Sequence, residues 1–229
     1  MLVKNWMSKE VLTVDADDSM QNAIYILQEQ NIKKLPVMEK GQLVGIITDR
    51  DLKKASPSDA TTLDMHELLF LISKIKVRGL MKKPVYTVQP DYTVEEAAAI
   101  LLEKRISGLP VVEENNRLIG IITRSDLFRV IISLSGLGKK GIQFAIRIKD
   151  KPGTIKEVRE LIHEYGARTA SILSSSDNAP PNHLNFYFRI YQIDRGKLPS
   201  LLAGIKEKGT LLYMVDHREN KRTIYDSKF

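Results

Sequence analysis

Cysteine is absent from the 229-residue chain. Disulfides and thiolate metal sites are thereby excluded, and a reducing, cytoplasmic setting is the expectation. Long apolar runs are lacking as well: stretches such as Leu68 to Ile72 fall far short of the roughly 20 residues that a spanning helix needs, so a soluble protein with no membrane span is expected. A secretory signal is not expected, since Met1 to Met7 contains Lys4 and no apolar h-region follows. His66, His163, His183 and His217 show no metal-ligand spacing, and a nucleophile elbow, a Walker loop and a Rossmann glycine set are all missing. The expectation is a protein without catalysis, metal or catalytic cofactor.

The net charge of +7 directs attention to anionic partners. The cations, however, fall in pairs (Lys33-Lys34, Lys53-Lys54, Lys82-Lys83, Lys139-Lys140, Lys221-Arg222) with acidic residues between them, the pattern of a solvated mixed surface. There is no zinc finger, no ribonucleoprotein aromatic motif and no helix with a dense basic face, although a sheet could present Arg147, Lys149 and Arg189 to nucleic acid. A nucleic-acid-associated regulator is therefore the lesser alternative.

What the chain does have is a statement made twice. Leu43-Val44-Gly45-Ile46-Ile47-Thr48-Asp49-Arg50-Asp51-Leu52 recurs as Leu118-Ile119-Gly120-Ile121-Ile122-Thr123-Arg124-Ser125-Asp126-Leu127, identical at seven of ten positions. Upstream, Met7, Val11, Val14, Ala23, Leu27, Ile32 and Leu35-Pro36-Val37 are matched at a constant offset of 74 by Met81, Val85, Val88, Ala97, Leu101, Ile106 and Leu109-Pro110-Val111. One extra residue near Asn115-Asn116, opposite the Lys40-Gly41 turn, moves the offset to 75 without disturbing either flank. Two copies of one unit imply a closed pseudo-symmetric pair.

Each copy reads β-α-β-β-α. In the first, a strand at Val11 to Val14 leads to a helix carrying Met20, Ala23, Ile24 and Leu27. A strand opening at Leu35, a turn at Gly41, a fully buried strand at Leu43 to Ile47 and a helix from Asp49 follow. In the second, Thr93 and Glu96 form a capping box ahead of the helix with Ala97, Ile100 and Leu101. Between the copies the chain breaks at Ala55 to Asp59, and Met65 to Ile75 carries an apolar face that must pack on the pair or on a second chain. Beyond the copies, Gly136, Gly138 and Gly141 with Lys139-Lys140 suggest a flexible hinge. Strand Gln143 to Ile148, helix Ile155 to Tyr165, strands Thr169 to Leu173 and Leu184 to Tyr191, helix Leu198 to Lys208 and strand Leu211 to Val215 then give β-α-β-β-α-β, the ferredoxin-like order. The boundaries are 1–54 and 77–135 for the repeats, 55–76 for the insert, 136–141 for the hinge, 142–217 for the last domain and 218–229 for a tail, within an overall α/β (α+β) class.

The duplicated set, Leu35-Pro36-Val37 with Gly45-Ile46-Ile47-Thr48-x-x-Asp51 and Leu109-Pro110-Val111 with Gly120-Ile121-Ile122-Thr123-x-x-Asp126, resembles the cystathionine-beta-synthase (CBS) domain pair, or Bateman module. The last domain, with Asp150-Lys151-Pro152-Gly153-Thr154-Ile155 between strand and helix, resembles an ACT domain, and the combination is similar to that of bacterial acetoin-utilization proteins. The resemblance implies a regulatory module that holds an adenosine nucleotide (AMP, ADP or ATP) or S-adenosylmethionine in the cleft between repeats. It also implies homodimerisation, an amino acid or other small effector near Asp150, Pro152, Gly153 and Thr154, and an output through a protein partner in acetoin or acetate use.

The residues make chemical sense of such a ligand. Asp51 and Asp126 can accept both ribose hydroxyls, and Thr48 and Thr123 offer a hydroxyl at a helix start. Gly45 and Gly120 let backbone and ligand come close. Lys33, Lys34, Arg50, Arg105 and Arg124 are the cations nearest for phosphate, and Val14, Val88, Pro36 and Pro110 form an apolar wall for adenine. Because the first copy carries Lys33-Lys34 and Arg50 where the second has Ser107-Gly108 and Ser125, the first site should favour the more phosphorylated ligand. The competing reading is structural: Thr-x-x-Asp at a strand-to-helix junction is also a capping box, which leaves a CBS and ACT scaffold with no nucleotide.

Overall fold

The computed structural model describes residues 1–56 and 64–226. Contacts divide the chain into two units, Met1–Leu127 and Phe128–Phe229. The Pro57 to Asp59 part of the expected break lies outside the described residues.

In the first unit, β1 (Val14–Asp15) pairs in parallel with β2 (Lys34–Glu39), which pairs antiparallel with β3 (Gln42–Thr48). Helix α1 (Met20–Glu29) lies between β1 and β2 in sequence. It starts on Ser19, whose hydroxyl accepts from the Asn22 N–H at 3.1 Å, and buries Met20, Ala23 and Leu27 against Leu35, Val37 and Ile47. After α2 (Asp49–Ala55) comes α3 (Met65–Lys74), which is capped by Asp64. Ile72 and Ile75 pack on the first-repeat core, as expected for an insert covering its own pair, while Phe70 and Leu71 stay exposed. The side chains of Leu68 and Leu69 lie outside the described residues.

The second copy repeats the plan with α4 (Val94–Glu103), β4 (Gly108–Val112) and β5 (Leu118–Thr123), followed by α5 (Arg124–Leu134), which enters the second unit after Leu127. The capping box on α4 forms as read: Thr93 Oγ1 accepts from Glu96 N–H at 3.1 Å and Glu96 Oε2 accepts from Thr93 N–H at 2.7 Å. The expected first strands shrink: β1 is two residues long, and its counterpart is a single bridge between Val88 and Val111. The extra residue is absorbed in the turns, with Lys40 and Gly41 left-handed in one and Asn115 and Asn116 in the other.

Each repeat is completed by the segment that leads into the other. Val3 N–H donates to Tyr92 C=O (2.8 Å) and its counterpart Val77 N–H to Asp18 C=O (3.0 Å). Ser8 and Ile121 exchange two backbone hydrogen bonds at 3.0 Å, and Lys82 and Ile46 exchange the matching pair at 2.8 and 3.3 Å. This crossing corrects the role expected of two glycines. A Cβ on Gly45 would sit 2.3 Å from Met81 Sδ, and one on Gly120 would sit 2.4 Å from Met7 Sδ, so the glycines make room for the partner repeat's methionine and not for a ligand. β3 is also not fully buried: Leu43, Gly45 and Ile47 face inward, while Val44, Ile46 and Thr48 are half-buried.

The second unit is a five-stranded antiparallel sheet of β6 (Ile142–Lys149), β7 (Arg168–Ser175), β8 (His183–Tyr191), β9 (Thr210–Asp216) and β10 (Lys221–Ile224), with α6 (Thr154–Glu164) and α7 (Leu198–Lys208) in the crossovers. The strand order is β10-β9-β6-β8-β7, whose first four strands in sequence give the ferredoxin-like topology expected. Phe144 and Phe188 stack at 5.2 Å at the centre of a core with Ile146, Val158, Ile162, Leu201 and Ile205. Two expectations change. The tail supplies a fifth strand, β10, across the Asn220 turn. Two of the three glycines of the expected hinge serve close packing, since Gly136 lies over Ala170 and a Cβ on Gly141 would strike Ile190 C=O; Gly138, in the 3-10 turn Leu137–Lys139, has open space around it.

Candidate functional site

At the end of β3, Thr48 caps α2 and the sequence's Thr-x-x-Asp becomes a closed ring of hydrogen bonds. Asp51 Oδ2 accepts from Thr48 N–H at 3.1 Å and from Thr48 Oγ1 at 2.5 Å, and Asp51 N–H donates back to Thr48 Oγ1 at 3.3 Å. Asp126 Oδ2 likewise accepts from Thr123 N–H at 2.7 Å and Thr123 Oγ1 at 2.6 Å. Thr48 and Asp51 thus form the full capping box, and in the second copy Asp126 likewise satisfies the Thr123 N–H and hydroxyl.

Asp51 Oδ1 pairs with Lys82 Nζ at 2.7 Å, a cation delivered by the crossing segment of the second repeat. Burial opposes the Asp51 charge, yet the hydrogen bonds from Lys82 and Thr48 prevail and hold its carboxyl below the usual range. Lys82 remains 62% exposed, so it can leave the carboxylate at little cost. Position 8, equivalent to Lys82, is a serine, and Asp126 is buried.

In front of the two threonines lie two cavities, of about 410 Å³ at Thr48 and about 460 Å³ at Thr123, each of small-molecule size. Their linings correspond position by position. Ile46, Thr48, Lys82, Val85, Tyr86 and Ile106 wall the first, and Ile121, Thr123, Ser8, Val11, Leu12 and Ile32 wall the second. Each cavity is therefore built from the strand end of one repeat and the lead-in and helix end of the other, the cleft that two facing repeats must create.

All five expected cations reach these cavities. Arg50 and Arg105 line the first, while Lys33, Lys34 and Arg124 line both. Lys33 and Lys34 therefore cannot distinguish the sites, which corrects the expectation. The asymmetry rests on Arg50, Lys82 and Arg105, whose counterparts in the second cavity are Ser125, Ser8 and Asn31; Glu10 there replaces Pro84. Lys34 is pulled down to about 8 by burial and by the charge of Arg124.

The apolar wall also differs from the one expected. Val14 and Val88 are 2% exposed and belong to the core, and Pro110 is buried and lines neither cavity; of the four only Pro36 reaches a cavity, the second. The residues missed are those of the lead-ins, Val11, Leu12, Val85 and Tyr86. Their only signal was the repeat match of Val11 with Val85, outside the Gly-Ile-Ile-Thr motif. Asp51 and Asp126 stand behind the threonines and do not line either cavity wall.

In the second unit, Asp150, Pro152 and Gly153 are exposed and Thr154 is half-buried in a self-satisfied turn, where Thr154 Oγ1 donates to Lys151 C=O at 2.8 Å. Of the three basic residues considered for nucleic acid only Lys149 is exposed: Arg189 is 3% exposed and donates to Ser135 C=O (2.6 Å) and Gln143 Oε1 (2.7 Å), and Arg147 Nε donates to Asn185 Oδ1 (3.1 Å). Among the described residues no helix is long and apolar enough to cross a membrane, and no group of three or more His, Asp or Glu side chains could hold a metal ion.

Comparison with known proteins places this arrangement. The CBS domain model matches residues 3–58 and 77–133. A CBS domain-containing protein of Dictyostelium discoideum is 37% identical over 135 residues, which cover 58% of this chain and 93% of that protein. A protein of Methanocaldococcus jannaschii is 30% identical over 235 residues, covering 97% of this chain and 76% of its own. The solved structure of a candidate acetoin utilization protein (AcuB) from Vibrio cholerae is 25% identical with a TM-score of 0.51, covering 62% of this chain and 97% of that one.

Proposed function

The chain belongs to the CBS domain family, and from that premise we propose that its first unit is a non-catalytic sensor holding one adenosine ligand in each of its two cavities. The observation that carries this reading is the pairing of an apolar wall with a threonine hydroxyl and a cationic floor, twice, at pseudo-equivalent positions. In the first cavity adenine lies between Val85, Tyr86 and Ile106, and the 5′-phosphates meet Arg50, Arg105 and Lys82 once Lys82 exchanges Asp51 for phosphate. Asp51 lines neither cavity while Lys82 covers its Oδ1; the departure of Lys82, which does line the first cavity, uncovers that oxygen for the ribose hydroxyls.

The two cavities select different ligands. Six basic side chains and one acidic line the first; three basic and one acidic line the second. ATP or ADP is assigned to the first, and AMP or S-adenosylmethionine, whose sulfonium suits the neighbourhood of Glu10, to the second. Arg50→Ala with Arg105→Ala tests this. The double variant should lower ATP affinity at least tenfold while changing adenosine affinity less than twofold, and an unchanged ATP to adenosine ratio would remove the assignment.

The second unit is read as an ACT domain that relays the ligand state to a protein partner and supports a homodimer. The Vibrio cholerae relative makes acetoin or acetate use the first pathway to examine. Relay demands that ligand bind two states of the molecule unequally. Protease sensitivity of the second unit, measured with and without ATP, tests it: a ligand-dependent change is expected, and identical digestion patterns at saturation would contradict it.

A further inference from the structure

The two cavities are not separate. Lys33, Lys34, Ser107 and Arg124 line both, so the cationic floor is one structure shared by two sites. At its middle the pseudo-symmetry breaks. Lys34 is matched in the second repeat by Gly108, and Lys34 Nζ donates to Ser107 Oγ at 2.5 Å. A Cβ on Gly108 would stand 2.7 Å from that Nζ, so the small residue is the reason the ammonium fits. A lysine at both positions would bring two ammonium groups into one space. The fold thus gives this position one lysine where strict repetition would give two, and two cavities that each face it.

Resting on the reading that both cavities take adenosine ligands, we propose that Lys34, with Arg124 beside it, is a counter-charge for which the cavities compete, so that a phosphorylated ligand in one weakens phosphate binding in the other. The argument is electrostatic. The first phosphate draws the Lys34 ammonium and the Arg124 guanidinium toward its own side and neutralises them. A second phosphate then meets a floor whose field is spent and a like charge across it. By reciprocity each ligand lowers the other's affinity by the same factor, here about tenfold, within the ordinary range of site coupling. An uncharged nucleoside makes no demand on Lys34 and is exempt.

The test is calorimetric titration of the full chain with AMP and with adenosine, in wild type, in Lys34→Gln, and in two single-site variants in which Val85→Trp fills the first cavity and Val11→Trp fills the second. In wild type the second AMP should bind about tenfold more weakly than that site binds AMP alone in its single-site variant. Adenosine should fill the two sites independently. Lys34→Gln should weaken AMP at both sites and bring their coupling to within twofold of none. Independent filling by AMP in wild type, or coupling that persists unchanged in Lys34→Gln, overturns the competition while leaving the sensor reading standing. Absence of heat with AMP and adenosine overturns the competition, and absence with ADP, ATP and S-adenosylmethionine as well overturns the sensor reading.

Discussion

Gly45→Ala adds one methyl group where Met81 of the other repeat already sits, with Sδ 2.3 Å, Cγ 2.8 Å and Cβ 3.0 Å from the new atom. The thioether end can swing aside, but Met81 Cβ is tied to a backbone held by the Lys82 and Ile46 hydrogen bonds. Overpacking of this kind costs about 1–3 kcal/mol. Replacing glycine inside a strand returns about 0.5–1 kcal/mol. The expected net loss is about 0.5–2 kcal/mol, a shift of roughly 2–4 °C per kcal/mol for a chain of this size. Trp6, the only tryptophan, lies in the first crossing segment next to Met7, so its fluorescence during urea unfolding reports on this unit. Met81→Ala should relieve the clash: the double variant should be more stable than the sum of the two single losses by about 1 kcal/mol or more. If Gly45→Ala is as stable as wild type, or the cycle closes additively within about 0.5 kcal/mol, the glycine is not there for repeat packing. A glycine kept only for ligand approach would instead leave unliganded stability untouched.

Lys34 yields a linked pair of predictions. Its pKa of about 8 in the folded chain lies below the ordinary 10.5, so the unfolded state binds more protons between those values and unliganded stability rises as pH climbs from about 8 toward 10.5. Lys34→Met should therefore raise unfolding stability at pH 7, with the advantage fading above pH 10, while weakening AMP at both cavities; a destabilised Lys34→Met at pH 7 would contradict the burial argument. AMP binding to wild type should take up protons near pH 8 to 9, seen as a dependence of binding heat on buffer ionisation, and no such dependence would separate Lys34 from phosphate. In the second unit, Phe144→Ala removes one ring of the buried Phe144 and Phe188 stack and should cost about 3–5 kcal/mol; a loss under about 1 kcal/mol would contradict its place in the core. Truncation after Asn220 strips β10 from β9 and opens a sheet edge, so light scattering should show increased self-association, and unchanged scattering would mean the strand protects nothing.

Element order was legible because burial imposes period 3.6 on α1 and α4, and because a duplicated pattern reports the same fold twice. The capping box at Thr93 and Glu96 was readable for a local reason: both partners lie within one turn. The site was only half legible. Thr48 and Thr123 occur at their cavities because their strand ends define them, but Val85 and Tyr86 belong to the first cavity through a chain crossing that no local pattern encodes. Val14 and Val88 misled for a similar reason: apolar residues near a motif are as suited to a core as to a ligand wall, and here the core took them. Lys33 and Lys34 looked specific to one copy because sequence spacing gives each residue to one repeat, whereas a long side chain at a pseudo-twofold axis serves both. β10 was missed because its four residues, Lys221 to Ile224, are mostly exposed and carry almost no alternation.

The central claim is that the Thr48 and Thr123 cavities bind adenosine ligands, and the most direct test is calorimetric titration of the full chain with AMP, ADP, ATP and S-adenosylmethionine beside Asp51→Ala and Asp126→Ala. Trp6 fluorescence confirms that each variant remains folded despite the lost cap, worth about 1 kcal/mol. The account predicts two sites in wild type, with ATP affinity lost in Asp51→Ala and the second ligand lost in Asp126→Ala. No heat with any of the four ligands, or binding that both variants retain unchanged, would reduce the two aspartates to helix caps and contradict it.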